Sequence, residues 1–466
     1  MSTRVTCLLC VLLFALMGLR AGAEDLPTTK TACHNWAEDK KGYHNLEECV
    51  IDIFQLEPFA PAMGNISSGS GTGLGERYRK PWDHEQFQSF LTVRGLYSTS
   101  SFYVVDAKYV MSFGPWVYKP HPTGNLCDKK ESAKAKHDCE TAFFDDARPG
   151  FNVKASRIDL RTQDFYGLGP GSTLAGHAVY RQQQDAIGGS GAVPITSWGA
   201  LGGRFQYFRP EIKGVSGGSL PSVITAYGAA GAPGSTERLD FIQAGLNVGL
   251  RTPLGKKKWP WEAHDALVAY DHYSQLGSKQ YSFDRLAANG SLVVTGRHHF
   301  VKEELDPNQP RAYPTFWQEL LCSRDPFKHC TWGTFTTSGL VTASYTGTGS
   351  AVPFYLQPTL GGADIDGVDT LRGLVDFRLR APNRVLLQEA FDKRIWGTEL
   401  GELGLYVFFD AGNVAMKPGD LSLGNLRKDV GVGISYAVEN KIVIRAYYGF
   451  GAGEGNHPNA KLPNAF

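Results

Sequence analysis

The feature that most constrains this chain is a recurring segment of about ten residues in which polarity alternates, bounded by Gly, Pro, Asn or Asp. Residues 241–250 show it most clearly. Successive side chains of an extended strand point to opposite sides, so Ile242, Ala244, Leu246, Val248 and Leu250 share one face, and Gln243, Gly245, Asn247 and Gly249 share the other. The first face suits lipid and the second suits a wet lumen. Residues 429–438 repeat the pattern, with Val430, Val432, Ile434, Tyr436 and Val438 outward and Asp429, Gly431, Gly433 and Ser435 inward. Residues 441–450 follow after the short turn Glu439-Asn440, so the two segments read as a hairpin. A soluble sandwich also alternates, but its outward face carries more charge than Gly and Asn.

Composition supports strands over helices, since 54 Gly, 20 Tyr, 26 Phe and 9 Trp stand beside only 5 Met. Beyond the N-terminus no apolar run approaches the roughly 18–20 residues that a membrane-spanning helix needs. The expected fold class is therefore all-β, a transmembrane antiparallel β-barrel. Lys plus Arg (47) balances Asp plus Glu (46), which leaves no basic excess for nucleic acid.

The N-terminus has the layout of an export signal: Arg4, an apolar stretch over residues 5–19, then Ala21-Gly22-Ala23 as a small-x-small cleavage site before Glu24. This divides the chain into a signal peptide (1–23), a polar and turn-rich segment (24–75) and the barrel (76–466). The middle segment reads as a short periplasmic piece, a linker, a plug or a first strand. Without Cys7 and Cys10, six cysteines remain as three close couples: Cys33 and Cys49, Cys127 and Cys139, Cys322 and Cys330. In an exported chain such couples are candidate disulfides, although six cysteines allow other pairings. None has the spacing of a zinc knuckle, and no metal or other cofactor is expected. Two couples lie in the long stretches 114–150 and 302–330, which read as extracellular loops.

Catalytic signals are weak. Gly214-Val215-Ser216-Gly217-Gly218 fits the nucleophile pattern G-x-S-x-G, but that pattern matters only on a strand-to-helix elbow, and no helix is expected to follow. His298 and His299 are adjacent, so on a strand they point to opposite faces and cannot share one ion. The chain does not read as an enzyme. A serine hydrolase is the remote alternative.

The most specific signal lies late. Thr370-Leu371-Arg372-Gly373-Leu374 is followed by Val385-Leu386-Leu387-Gln388-Glu389, by Leu405-Tyr406-Val407-Phe408-Phe409-Asp410-Ala411-Gly412-Asn413-Val414, and by Gly431-Val432-Gly433-Ile434. In this order and spacing the block resembles the bacterial surface antigen superfamily, the BamA-like outer-membrane barrels. Asp164-Phe165-Tyr166-Gly167-Leu168-Gly169 is a looser element of the same kind.

The resemblance implies about sixteen strands and a role in inserting or translocating protein or lipid at the bacterial outer membrane. Outer-membrane lipid, unfolded outer-membrane proteins and a periplasmic partner are the implied partners; a passive pore or structural barrel is the alternative. It also implies that the Arg-Gly pair tips an extracellular loop folded into the lumen. Arg372 is then the lumenal arginine, Gly373 permits its turn, and Asp410 is an acidic partner. A guanidinium in a narrow lumen needs such a carboxylate to offset desolvation. Glu389 is the expected second acid; Asp392 lies on the opposite face, so at most one of the two can meet Arg372. The chain departs from the family in two ways. The stretch 24–75 is too short for a clear polypeptide-transport-associated module, and Pro463 removes a ladder donor from the expected closing strand.

Overall fold

A computed structural model of the chain describes residues 58–66, 72–84, 87–113, 149–196, 199–215, 218–252, 261–298, 330–364, 368–398, 401–438, 441–451 and 454–461. The chain divides into two compact units, Met1–Ala60 and Pro61–Phe466. The described residues are mostly antiparallel strands. In chain order they begin β1 (Phe59–Asn65), β2 (Thr72–Asp83), β3 (Phe87–Ser98), β4 (Tyr103–Phe113), β5 (Gly150–Phe165) and β6 (Ala178–Thr196). Next come β7 (Gly199–Gly214), a short helix α1 (Val223–Gly231), β8 (Phe241–Thr252), β9 (Trp261–Gln275), β10 (Phe283–His298) and β11 (Cys330–Thr346). The last are two short strands β12 (Thr359–Leu360) and β13 (Leu379–Arg380), then β14 (Asn383–Thr398), β15 (Gly401–Ala415), β16 (Arg427–Val438), β17 (Lys441–Gly451) and β18 (Gly455–Lys461).

All but β12 and β13 form one 16-stranded sheet in sequential order, the sheet of an up-and-down transmembrane β-barrel. Among the described residues no ladder joins β1 to β18. The alternation read from the sequence separates outside from inside. Leu246 on β8 is 64% exposed and Val432 on β16 is 51% exposed, whereas the inward Asp410 is 0% exposed. Outward rows such as Leu201 and Phe205, or Val430, Val432 and Ile434, are exposed and apolar. An exposed apolar band of this extent fits lipid contact and not water.

Strands β5, β6 and β7 have 16, 19 and 16 residues, more than the roughly 9–11 that cross a bilayer. Their surplus is polar on the outer face. Arg181 Nε donates to Asp159 at 2.8 Å, Arg157 lies 3.5 Å from Asp185, and Arg209 Nε donates to Asp240 at 2.5 Å. Lower on the same strands the outer positions are Val153, Ile187, Val193 and Phe205. These three strands therefore rise out of the bilayer as a charge-laced wall at the end of the sheet that carries the β5–β6, β7–β8 and β11–β14 connections.

Two sequence expectations change here, and the first-strand reading is taken for part of the stretch 24–75. The sheet begins with β1 at Phe59, so strands already occupy part of the stretch 24–75; Leu74 faces outward there and Gly73 and Gly75 inward. The final strand is β18, which ends at Lys461 before Pro463 and contains Pro458 instead, paired with Tyr448. The extracellular assignments also conflict. In an antiparallel sheet, connections alternate ends, so the β4–β5 and β10–β11 connections leave the end opposite to the β11–β14 connection that carries Arg372. The long stretches 114–150 and 302–330 and the Arg372 loop therefore cannot all be extracellular. Of the candidate disulfide cysteines, Cys33, Cys49, Cys127, Cys139 and Cys322 lie outside the described residues, and Cys330 opens β11.

Candidate functional site

The β11–β14 connection, residues 347–382, folds back against the inner wall. Its neck is closed by β12 pairing with β13, Thr359 with Arg380 and Leu360 with Leu379. The turn after the neck requires left-handed backbone: Gly361 has φ 117° and Gly362 φ 54°. Leu371 and Leu374, which flank the Arg-Gly pair, are buried with Leu360, Leu379, Leu386 and Val414, so the loop is anchored by apolar packing on β14 and β15.

That packing places Arg372 directly over Asp410 of β15. Asp410 Oδ2 accepts from the Arg372 backbone N–H at 3.0 Å and from Nε at 2.8 Å, and Oδ1 accepts from Nη2. Arg372 Nη1 donates to the Tyr406 hydroxyl, and the guanidinium carbon lies 4.1 Å from the centre of the Phe408 ring. Gln388 of β14 donates to Asp410 at 3.3 Å and to the Thr370 carbonyl at 2.8 Å. Arg372 is only 4% exposed. Burial disfavours its charged form, but the hydrogen bonds and charge of Asp410 outweigh this and raise the guanidinium above its ordinary value.

Gly373 sits where no side chain fits. Its backbone N–H donates to Asp429 of β16 at 2.8 Å. A Cβ at this position would lie 2.7 Å from the Asp429 Cβ and 2.9 Å from the Gly451 backbone nitrogen. On the other side of the contact, a Cβ on Gly449 would lie 2.6 Å from the Gly373 Cα. The inward glycines of β17 thus form a groove that receives the loop backbone. Here the glycine face, read from the sequence as lining a wet lumen, is filled by protein.

One expectation about acidic partners is corrected, and the opposite facing of Glu389 and Asp392 holds. Glu389 is exposed on the outer face of β14, in parity with Leu387 and Phe391, and only its backbone carbonyl meets Arg372, at 3.4 Å from Nη2. Period-two geometry turns its carboxylate away, since Gln388 is the inward residue. Asp392 does face inward, but it meets Arg445 at 3.7 Å and Ser435 at 3.1 Å. The second carboxylate at the loop tip is Asp429, the direct cross-strand partner of Asp410.

Other ties of the loop were not foreseen. Arg378, 1% exposed, donates from Nε to Glu454 at 2.5 Å and from Nη1 to the Ser172 hydroxyl at 2.9 Å, and lies over the Tyr166 ring. Arg427 donates to the same Glu454 at 2.6 Å. Glu454 belongs to the turn between the last two strands, and Ser172 to the β5–β6 connection. Arg380 donates to the Phe354 carbonyl at 2.9 Å and to the Tyr180 hydroxyl at 3.2 Å, and its own carbonyl accepts from Gly169 at 2.7 Å. The looser motif at residues 164–169 therefore packs against the loop that follows the Arg-Gly pair. An alternating R-x-R run, Arg378-Leu379-Arg380, was the available sequence signal.

Beside the neck, the inward aromatics Phe165, Tyr180, Phe208, Phe241, Tyr273 and Phe283 close around Phe354 and Tyr355 of the loop and Val223 of α1. The loop end of the lumen is packed like a protein core. A helix not expected from the sequence, α1, follows the G-x-S-x-G stretch, with Ser222 as its cap. Ser216 and His299 lie outside the described residues. Among those described, no group of His, Cys, Asp or Glu could hold a metal ion.

No family model matches the chain, and no curated protein matches it in sequence. Solved structures do. BamA from Haemophilus ducreyi lacking POTRA domains 1–3 superposes with TM-score 0.48 at 13% identity, over 86% of this chain and 69% of that one. CdiB from Escherichia coli gives TM-score 0.45 at 12% identity, over 86% of this chain and 61% of that one. A variant of OccD1 (OprD) gives TM-score 0.29 at 11% identity, over 83% and 90% respectively.

Proposed function

We propose that this chain is a bacterial outer-membrane barrel, exported with cleavage after Ala23, that inserts or translocates protein or lipid by opening its sheet locally, with the Arg372 loop as a lumenal latch. The observation that carries this reading is where the latch is fixed. Its tip is held by Asp410 of β15, Asp429 of β16 and the glycine groove of β17, and Arg378 reaches the turn before β18. These are the strands beside one end of the sheet, and among the described residues that end has no ladder to β1. A loop bonded across the last strands stiffens the region that an opening seam would move. Outer-membrane lipid is the surrounding partner, and an unfolded outer-membrane protein or a periplasmic protein is the client or helper.

The competing reading is a passive pore. The packed aromatic core at the loop end weighs against it, because an open aqueous path does not run through a closed cluster. Purified full-length protein in liposomes, given an unfolded outer-membrane barrel as client, is expected to speed the client's folding. The Arg372→Ala variant should change that rate. No acceleration by the wild type, together with steady ion conductance, would establish the passive pore instead.

A further inference from the structure

Two strands of the large sheet are unlike the rest. β1 and β18 have seven residues each, whereas the other strands of that sheet run from 11 to 19. Each also carries a proline near its middle, Pro61 in β1 and Pro458 in β18. A proline has no N–H to give a ladder, so within a sheet its nitrogen is tolerated where it faces no paired neighbour. Pro194 and Pro210 of the same sheet obey this rule. Pro194 of β6 pairs with Ala200 of β7, and the pairing of β6 with β5 ends short of it, at Ala192. Pro210 of β7 pairs with Gln184 of β6, and the pairing of β7 with β8 ends short of it, at Phe208. By the same rule Pro61, whose strand pairs with β2, and Pro458, which lies opposite Tyr448 of β17, turn their nitrogens to the outer edges of β1 and β18. These are the two edges that would meet in a seam, and among the described residues no ladder joins them.

Every second N–H of a strand points to the same edge, so a proline near the middle of a short strand leaves a gap in the donors of that edge. We propose, on the reading of this chain as an inserting barrel, that Pro61 and Pro458 hold the β1–β18 seam below full pairing, so that it opens ahead of every other ladder and takes in a strand of an unfolded barrel protein without trapping it. With a donor missing from each edge, two seven-residue strands have few main-chain bonds left to close the seam. Opening is eased as well, because an N–H bared to hydrocarbon is penalised and a proline bares none. The same gaps limit the bonds that an incoming strand can make, so it can leave once its own barrel closes.

The test is amide hydrogen exchange on the full chain in detergent micelles, run beside the client-folding assay. In the wild type, residues 59–65 and 455–461 should exchange at least about tenfold faster than β9 and β10. In P61V/P458V the restored donors should slow the two seam strands by about tenfold, and the acceleration of client folding should fall with them. P210V, which changes a proline away from the seam, should alter neither. P458V alone should give a smaller shift in the same direction, which keeps the test open if the double variant does not fold. Seam strands as protected as β9 in the wild type, unchanged seam exchange in the folded variants, or slowed exchange with undiminished client folding would overturn the proposal. So would slowing that appears only when two copies of the variant associate, since the prolines would then guard an edge against a neighbouring molecule. A wild type that accelerates no client would defeat the functional reading, and the exchange comparison would still decide what the prolines do to the seam.

Discussion

At the residue scale the question is what Arg372 and Asp410 do for each other. Both are buried, so removing one leaves the other without a partner in a place where water cannot replace it. Arg372→Ala is expected to destabilise the barrel by about 3–5 kcal/mol, read as a lower midpoint of heat-modifiable mobility. The charge swap, R372D combined with D410R, should recover a good part of that loss, whereas each single change should not. An unrecovered double variant would mean that the two residues act separately. Glu389 provides the contrast. Its carboxylate points to the outer face, so Glu389→Gln should leave the midpoint within about 1 kcal/mol of wild type.

At the scale of elements, the loop is held by backbone proximity as much as by charge. Gly373, Gly449 and Gly451 meet with their Cα and backbone atoms in contact, and one methyl group is enough to separate them. Gly373→Ala is therefore expected to cost about 1–3 kcal/mol and to raise protease cleavage within residues 361–378, measured on folded protein in micelles. Unchanged cleavage would show that the tip is seated by Arg372 alone. Phe377 adds a local constraint, being buried with φ 57°, a left-handed conformation that a non-glycine residue adopts only where its surroundings hold it. The hydrogen bond from its N–H to the Gly361 carbonyl at 3.1 Å is part of that hold.

At the scale of the whole molecule, the outer surface records where the bilayer lies. The charged wall of β5–β7 gives way to Ile187, Val193 and Phe205 within the same strands. With the Arg372 loop on the cell surface, D185C should react in intact cells with a membrane-impermeant maleimide, and V193C should not. Labelling of D185C only after the outer membrane is permeabilised would turn the molecule over and place the long stretches 114–150 and 302–330 outside. This matters because sequence patterning put all three segments on one side, and strand parity permits only two of the three to share it.

The sequence by itself determined the class of fold, because alternation with period two in ten-residue units is a property of each strand separately. It also determined which residues look inward. Asp429, Gly431 and Ser435 were on the inner side by alternation, and Leu246, Val432 and Ile434 on the outer, where the structure has them, while Asp410 was placed in the lumen by the family resemblance. What only the tertiary structure decided is who meets whom across the lumen. Glu389 was an acid near the right place in sequence, but one residue of register separates the two faces of a strand, and Asp429 from the next strand stands there instead. Arg378 finds Ser172 some two hundred positions away, and the aromatic core draws on six strands, β5 to β10, and three connections. Such contacts depend on how sixteen local patterns are brought around one interior, and that arrangement is carried by no single stretch of chain.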